Sequence, residues 1–183
     1  GTFQRLAYLN QKESIERLIF HLVENYFPLL NNSKDINYLT ELFFLESVKR
    51  IATMIGRITV AGFVHGVLNT DNFNVTGECF DYGPWRFIDF ADPYFTAAYF
   101  DYEKRYSFGR QPEAALWALR QLGNSLKHLL NEEKIIETLN EFSNFFNISL
   151  AKHFSWRLGI NDMEIKNTNQ IMSILFKISK EHQ

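Results

Sequence analysis

The chain has 183 residues, 46% apolar and 22% charged, with a formal net charge of −2. That length suits one domain with a sizeable core, so residues 1–183 are expected to form a single domain. The near-neutral charge argues against nucleic acid or an acidic membrane surface as partner, Cys79 alone excludes an internal disulfide, and the longest apolar run, "IATMIGRITVAGFV", is broken by Arg57 before it could span a membrane.

The opening "GTFQRLAYLN" has neither a signal-peptide pattern nor a clear helix start and reads as a chain entered midway. From Lys12 to Leu30, Ile15, Leu18, Ile19, Leu22, Val23 and Tyr26 recur at amphipathic-helix spacing, with Asn10 as cap and Pro28 and "NNS" at the end. A second helix is predicted from about Asn37 to Val60, burying Leu39, Leu42, Phe43, Val48, Ile51, Ala52 and Ile55. The periodicity then changes. "FVHGVL" is a short apolar segment, and "FNVTGECFDYGP" predicts two short strands joined at Thr76-Gly77. "WRFIDFADPYF" is aromatic and turn-rich, with a turn at Asp92-Pro93.

Helical signal returns at Gln111. Pro112 suits a first helical position, and Ala115, Leu116, Leu119, Leu122 and Leu126 form a stripe, with Trp117 assigned to the core. Further helices are expected over roughly Glu132 to Arg157 and Thr168 to Lys180. The predicted class is mainly α with a small β-hairpin, and most of the 18 Phe should be core. The sequons at Asn31, Asn74 and Asn147 read as chance in an Asn-rich chain that is not expected to be secreted.

The hairpin holds the chemistry. Closure at Thr76-Gly77 would place Asn72 and Asp81 opposite one another, roughly 5 Å apart across the pair. An amide oxygen and a carboxylate on a rigid scaffold make a partial site for Mg²⁺, which takes hard oxygen ligands and fills its remaining positions with water and phosphate. Kinases hold metal in this way, with a loop Asn and the Asp of an Asp-x-Gly motif. In small-molecule kinases the loop reads His-Gly-Asp, four residues, then Asn. Here His65-Gly66-Val67 keeps that frame and loses the Asp, so that Asp71 is the carboxylate left in the loop to accept a proton. The same residues also make a good turn (Asn69-Thr70-Asp71-Asn72) and a good strand terminator (Asp81-Tyr82-Gly83-Pro84).

The stretches "GFVHGVLNTDNFNVTGECFDYGPWRFID" and "GRQPEAALWALRQLGNSL" closely resemble the selenoprotein O family of pseudokinases. The resemblance spans nearly the whole chain. It implies a protein-kinase-like C-lobe and a protein adenylyltransferase that moves AMP from ATP onto Ser, Thr or Tyr hydroxyls of proteins, releasing pyrophosphate. By matching motif, Asp71 falls where the family has its catalytic proton acceptor. Asn72 and Asp81 fall where it binds Mg²⁺, with Asp81 also beside the nucleotide.

The family's Gly-rich loop, its lysine–glutamate pair and the arginines around the nucleotide are expected before Gly1, and its C-terminal region is expected after Gln183. The chain should then be a C-lobe core of a longer protein, inactive alone and prone to self-associate through its truncated face. By resemblance the location is cytoplasmic in a bacterium or mitochondrial in a eukaryote. Two alternatives stay open: a phosphotransferase using Asp71 as base, and a non-catalytic helical interaction domain.

Other polar residues have plainer readings. His65 is expected to support the loop by hydrogen bonding, and His21, His128, His153 and His182 lack metal-ligand spacing. Asp89 and Asp92 suit capping or turns, Arg110 a structural salt bridge, and Cys79 a small buried hydrophobe.

Overall fold

The computed structural model describes residues 1–30, 35–160 and 165–181. Helices α1 (Thr2–Tyr8) and α2 (Lys12–Tyr26) lead through a 3-10 turn at Pro28–Leu30 towards α3 (Ile36–Val60). Four two-residue strands follow, β1 (Phe63–Val64), β2 (Phe73–Asn74), β3 (Glu78–Cys79) and β4 (Arg86–Phe87). After a 3-10 turn at Phe108–Arg110 come α4 (Gln111–Ser125), α5 (Glu132–Asn140), α6 (Phe142–Leu158) and α7 (Ile165–Glu181). Among the described residues, no helix is long and apolar enough to cross a membrane.

Helix α3 is the axis of the core. Its start is fixed by Asp35, whose Oδ1 accepts the Asn37 backbone N–H at 3.0 Å. Leu39, Phe43, Phe44, Val48, Ala52 and Ile55 along it are completely buried. The Leu, Phe, Val and Ile side chains among them each contribute about 1.5–3 kcal/mol on burial. Phe43 meets Phe27 edge-on at 5.4 Å and Phe3 at 5.9 Å, which draws α1 and the end of α2 onto α3. Helix α6 lies so close that a Cβ built on Gly56 would stand 2.6 Å from Ser149 Oγ. That hydroxyl donates to the Thr53 carbonyl at 2.8 Å, joining the two helices at the same point.

Several expectations need correction. Helix α1 forms where no start was evident, because Phe3 gains a buried seat on Phe43. Gln11, not Asn10, precedes α2, since Asn10 takes a left-handed turn at φ 52°. Phe27, not Tyr26, completes its apolar face: Tyr26 is half exposed, and the backbone opens at Phe27 to turn that ring inwards. Residues 132–157 form two helices that change direction around Glu141. Trp117 lies outside the core, 42% exposed, with the Arg105 guanidinium 5.1 Å from its ring. The core face of α4 is instead built from Ala114, Ala115, Ala118 and Leu119, small enough for close approach. A Cβ on Gly123 would lie 2.7 Å from Ile135 and 3.0 Å from Phe44.

The strands form two antiparallel pairs. One is the expected hairpin, β2 with β3, in the register Phe73↔Cys79 and Asn74↔Glu78. Its tip packs on α3: Gly77, at φ +90°, has no room for a Cβ, which would stand 2.7 Å from that of Arg50. The other, β1 with β4, was not expected, and its register is Phe63↔Phe87 and Val64↔Arg86. Phe63 and Trp85 stack across it at 5.9 Å.

Candidate active site

The loop from β1 to β2 is organised by His65. Its side chain is completely buried, with Nε2 2.8 Å from the Phe80 carbonyl, and Nδ1 accepts the Val67 backbone N–H at 3.3 Å. A nitrogen that accepts carries no proton, so the hydrogen sits on Nε2 and is donated to Phe80. Burial lowers the pKa of the ring from its usual 6.5, outweighing the Phe80 carbonyl and the Asp81 charge, which raise it. The neutral form is therefore the one that fits. Gly66, at φ +88°, makes the bend between His65 and Val67, and a Cβ there would be 2.8 Å from the Pro84 ring.

Asn72 is 4% exposed, and its side-chain nitrogen donates to the Val67 carbonyl at 2.7 Å. This fixes which way the amide points and leaves Oδ1 available as an acceptor. Asn69 shapes the approach, its Oδ1 accepting the Asp71 N–H at 3.0 Å and its carbonyl the Asn72 N–H at 3.2 Å.

Asn72 and Asp81 are not directly opposite one another. The turn holds three residues, Val75 to Gly77, rather than two, and this shifts the register by one. Phe80 therefore faces Asn72, and its N–H donates to the Asn72 carbonyl at 3.2 Å. Asp81 comes one residue later, in the left-handed region at φ 62°, with its carbonyl accepting the Gly83 N–H at 2.9 Å. Aspartate tolerates that region better than most side chains. Next to it, Tyr82 turns back to donate its hydroxyl to the Cys79 carbonyl. Its hydroxyl also lies 3.4 Å from the Cys79 thiol, and that side-chain hydrogen bond, then burial, pushes the phenol up to about 12. Cys79 is the small buried residue expected, its thiol pushed up by burial.

Asp71 stands apart from the buried amide beside it. Its side chain is 72% exposed and lies 2.8 Å from the Gly1 amino nitrogen. It borders an open depression lined by Thr2, Arg5, Thr70, Phe73, Asn74 and Phe80. Asn72 and Asp81 do not line that depression, so the base candidate and the ligand candidates occupy neighbouring positions on one loop system.

Among the described residues there is no group of three or more His, Cys, Asp or Glu able to hold a metal. The donor set that is present, one oriented amide oxygen and one exposed carboxylate, fits Mg²⁺ completed by phosphate and water. It does not fit zinc, which would call for His or Cys.

The remaining candidates have structural duties. Arg110 grips Glu113 with two bonds, at 2.8 and 3.0 Å. Asp92 accepts the Tyr94 N–H at 2.8 Å, forming a turn, and Asp89 is exposed. His21 pairs with Asn25, while His182 and the Asn31 sequon lie outside the described residues. The sequence reading missed Gln111, which is completely buried and bonded to both Phe63 and His65. No local pattern marks it.

A sequence model of the family described as "Protein adenylyltransferase SelO" matches residues 1–183. Over 183 residues the chain is 37% identical to the "Protein nucleotidyltransferase YdiU" of Trichormus variabilis, covering 100% of this chain and 37% of that protein. The protein of the same name from Synechocystis is 40% identical over 161 residues, 88% of this chain and 34% of the relative. That from Vibrio cholerae is 34% identical over 161 residues, 87% of this chain and 32% of the relative. The chain thus spans about a third of the length of these relatives.

Proposed function

The chain belongs to the SelO family of protein adenylyltransferases, and from that premise we propose that the full-length protein transfers AMP from ATP to Ser, Thr or Tyr hydroxyls of other proteins. In this reading residues 1–183 are one domain, the C-lobe of a kinase-like fold, and supply the metal ligands and the base. Asn72 and Asp81 would hold Mg²⁺, with Asp81 beside the nucleotide. The metal would neutralise charge on the triphosphate as the reaction proceeds. The acceptor hydroxyl oxygen bonds to the α-phosphorus, its proton passes to Asp71, and the bond to the bridging oxygen breaks to release pyrophosphate.

The observation that carries the reading is the fixed amide of Asn72. Its nitrogen donates to Val67, which leaves its oxygen as the amide atom turned towards a cation. Val67 fits as well. Where a kinase loop of this frame has a carboxylate, this loop has Val67, and the base is displaced to Asp71. Alone, these residues are expected to be inactive, because two oxygen ligands by themselves bind Mg²⁺ and ATP poorly.

The test uses the full-length protein and ATP labelled at either the α- or the γ-phosphate. Label should reach protein from the α-position only, and Asp81→Ala should abolish it. Transfer from the γ-position alone would make the protein a phosphotransferase, and no transfer from either position would leave it a binding domain.

A further inference from the structure

Gln111 begins α4, yet its side chain reaches back to the strand before the candidate loop. Its Oε1 accepts the His65 backbone N–H at 3.1 Å, and its Nε2 donates to the Phe63 carbonyl at 2.9 Å. These two groups lie on either side of Val64 and point away from β4, which occupies the other edge of β1. The carboxamide therefore takes the place of a peptide group in a neighbouring strand. Both it and His65 are completely buried, so no water can replace either bond.

Rigidity set here passes on by bonds already described. The His65 ring holds the Val67 N–H and the Phe80 carbonyl, and the Val67 carbonyl in turn holds the amide of Asn72. Building on the functional reading above, we propose that Gln111 is a positioning residue. It fixes the β1 end of the loop and, through His65, the orientation of the Asn72 amide oxygen. It touches no substrate and acts only through these intermediates.

The role depends on one donor and one acceptor at a fixed spacing. Gln111→Met keeps the length and bulk of the side chain and has neither. Gln111→Glu keeps the acceptor towards His65 and has a donor for Phe63 only while its carboxyl is protonated. In the full-length protein, both variants are compared with wild type by amide hydrogen exchange and by the Mg²⁺ dependence of AMP transfer.

In Gln111→Met, the Val67 and Asn72 amides should exchange at least about tenfold faster, while amides of α3 and α6 keep their rates. The Mg²⁺ concentration for half-maximal transfer should rise about tenfold or more, with a smaller fall in kcat. Gln111→Glu should lie between Met and wild type, and it decides the matter if the Met variant does not fold. Wild-type exchange at Val67 and Asn72 in the folded variant would reduce Gln111 to a space-filling core residue and overturn the proposal. Exchange is read without any chemistry. A wild type that transfers no AMP would sink the functional reading and leave the Gln111 result standing.

Discussion

His65 and Asn72 close a ring of hydrogen bonds through the backbones of Val67 and Phe80. His65 takes the Val67 N–H and gives to the Phe80 carbonyl, while Asn72 gives its amide N–H to the Val67 carbonyl and takes the Phe80 N–H on its own carbonyl. Each of the two bridged residues thus has both backbone groups engaged. Because Val67 takes part through its peptide alone, its side chain is free to vary without cost to the ring. An apolar residue can stand there while the loop keeps its hydrogen-bonded geometry.

The ring needs a neutral imidazole, since a protonated Nδ1 could no longer accept the Val67 N–H. Burial lowers the pKa of His65 in the folded chain, whereas the unfolded chain binds its proton near 6.5. Between the two values acid protonates the unfolded chain preferentially, so stability is full above 6.5 and is lost as pH falls below it. His128 and His153, lowered chiefly by burial too, act in the same direction. The Tm of this chain should therefore be lower at about pH 5.5 than at about pH 7.5. His65→Gln should be less stable at both and show a shallower dependence. A Tm that is flat or rises on acidification would mean that the buried imidazole is not held neutral.

Gly56 sets how closely α3 and α6 approach. A methyl group at this position would gain roughly 1 kcal/mol of helix propensity. It would also meet Ser149 Oγ and Cβ at 2.6 and 2.7 Å and the Leu150 nitrogen at 3.1 Å. The last two are backbone or next to it and cannot swing away. Overpacking of this kind costs about 1–3 kcal/mol, so Gly56→Ala should be destabilised by up to about 2 kcal/mol in a urea titration. Ser149→Gly in the same chain should recover part of the loss. A Gly56→Ala chain as stable as the parent would show that the helices do not pack this tightly.

Where periodicity is long and strong, as along α3, the sequence predicted both ends of the helix to within a residue. Short elements escaped because two residues carry no period: β4 is invisible within "WRFIDF". The hairpin itself was legible and its register was not. Thr76-Gly77 reads as a two-residue turn, and nothing local reveals that Val75 belongs to the turn as well, which is what moves Phe80 opposite Asn72. Trp117 was misplaced because a stripe of Leu and Ala does not say which neighbour a large ring must clear. Asp71, Asn72 and Asp81 stood out because they form a compact motif. Gln111 did not, because its partners lie 46 and 48 residues away.

Asp71 and Asn72 are adjacent in sequence and opposite in environment, one 72% exposed and the other almost completely buried. The proposed roles differ accordingly, and substitutions should separate them in the full-length protein. Asp71→Asn preserves the shape of the turn, whose bond to Asn69 runs through the Asp71 backbone N–H. It should lower turnover by about 10²–10⁴-fold, the usual contribution of a general base, and leave Mg²⁺-dependent ATP binding close to wild type. Asn72→Ala removes an oxygen ligand together with the donor to Val67. Asp81→Asn removes the negative charge. Both should weaken Mg²⁺-dependent nucleotide binding, measured by calorimetry, and lose turnover as a consequence. Asn72→Ala should in addition lose about 1 kcal/mol of stability with the hydrogen bond to Val67. Near-normal turnover in Asp71→Asn would leave Asp71 a turn residue and send the search for the base elsewhere. Unchanged ATP binding in both Asn72→Ala and Asp81→Asn would remove the metal from this loop.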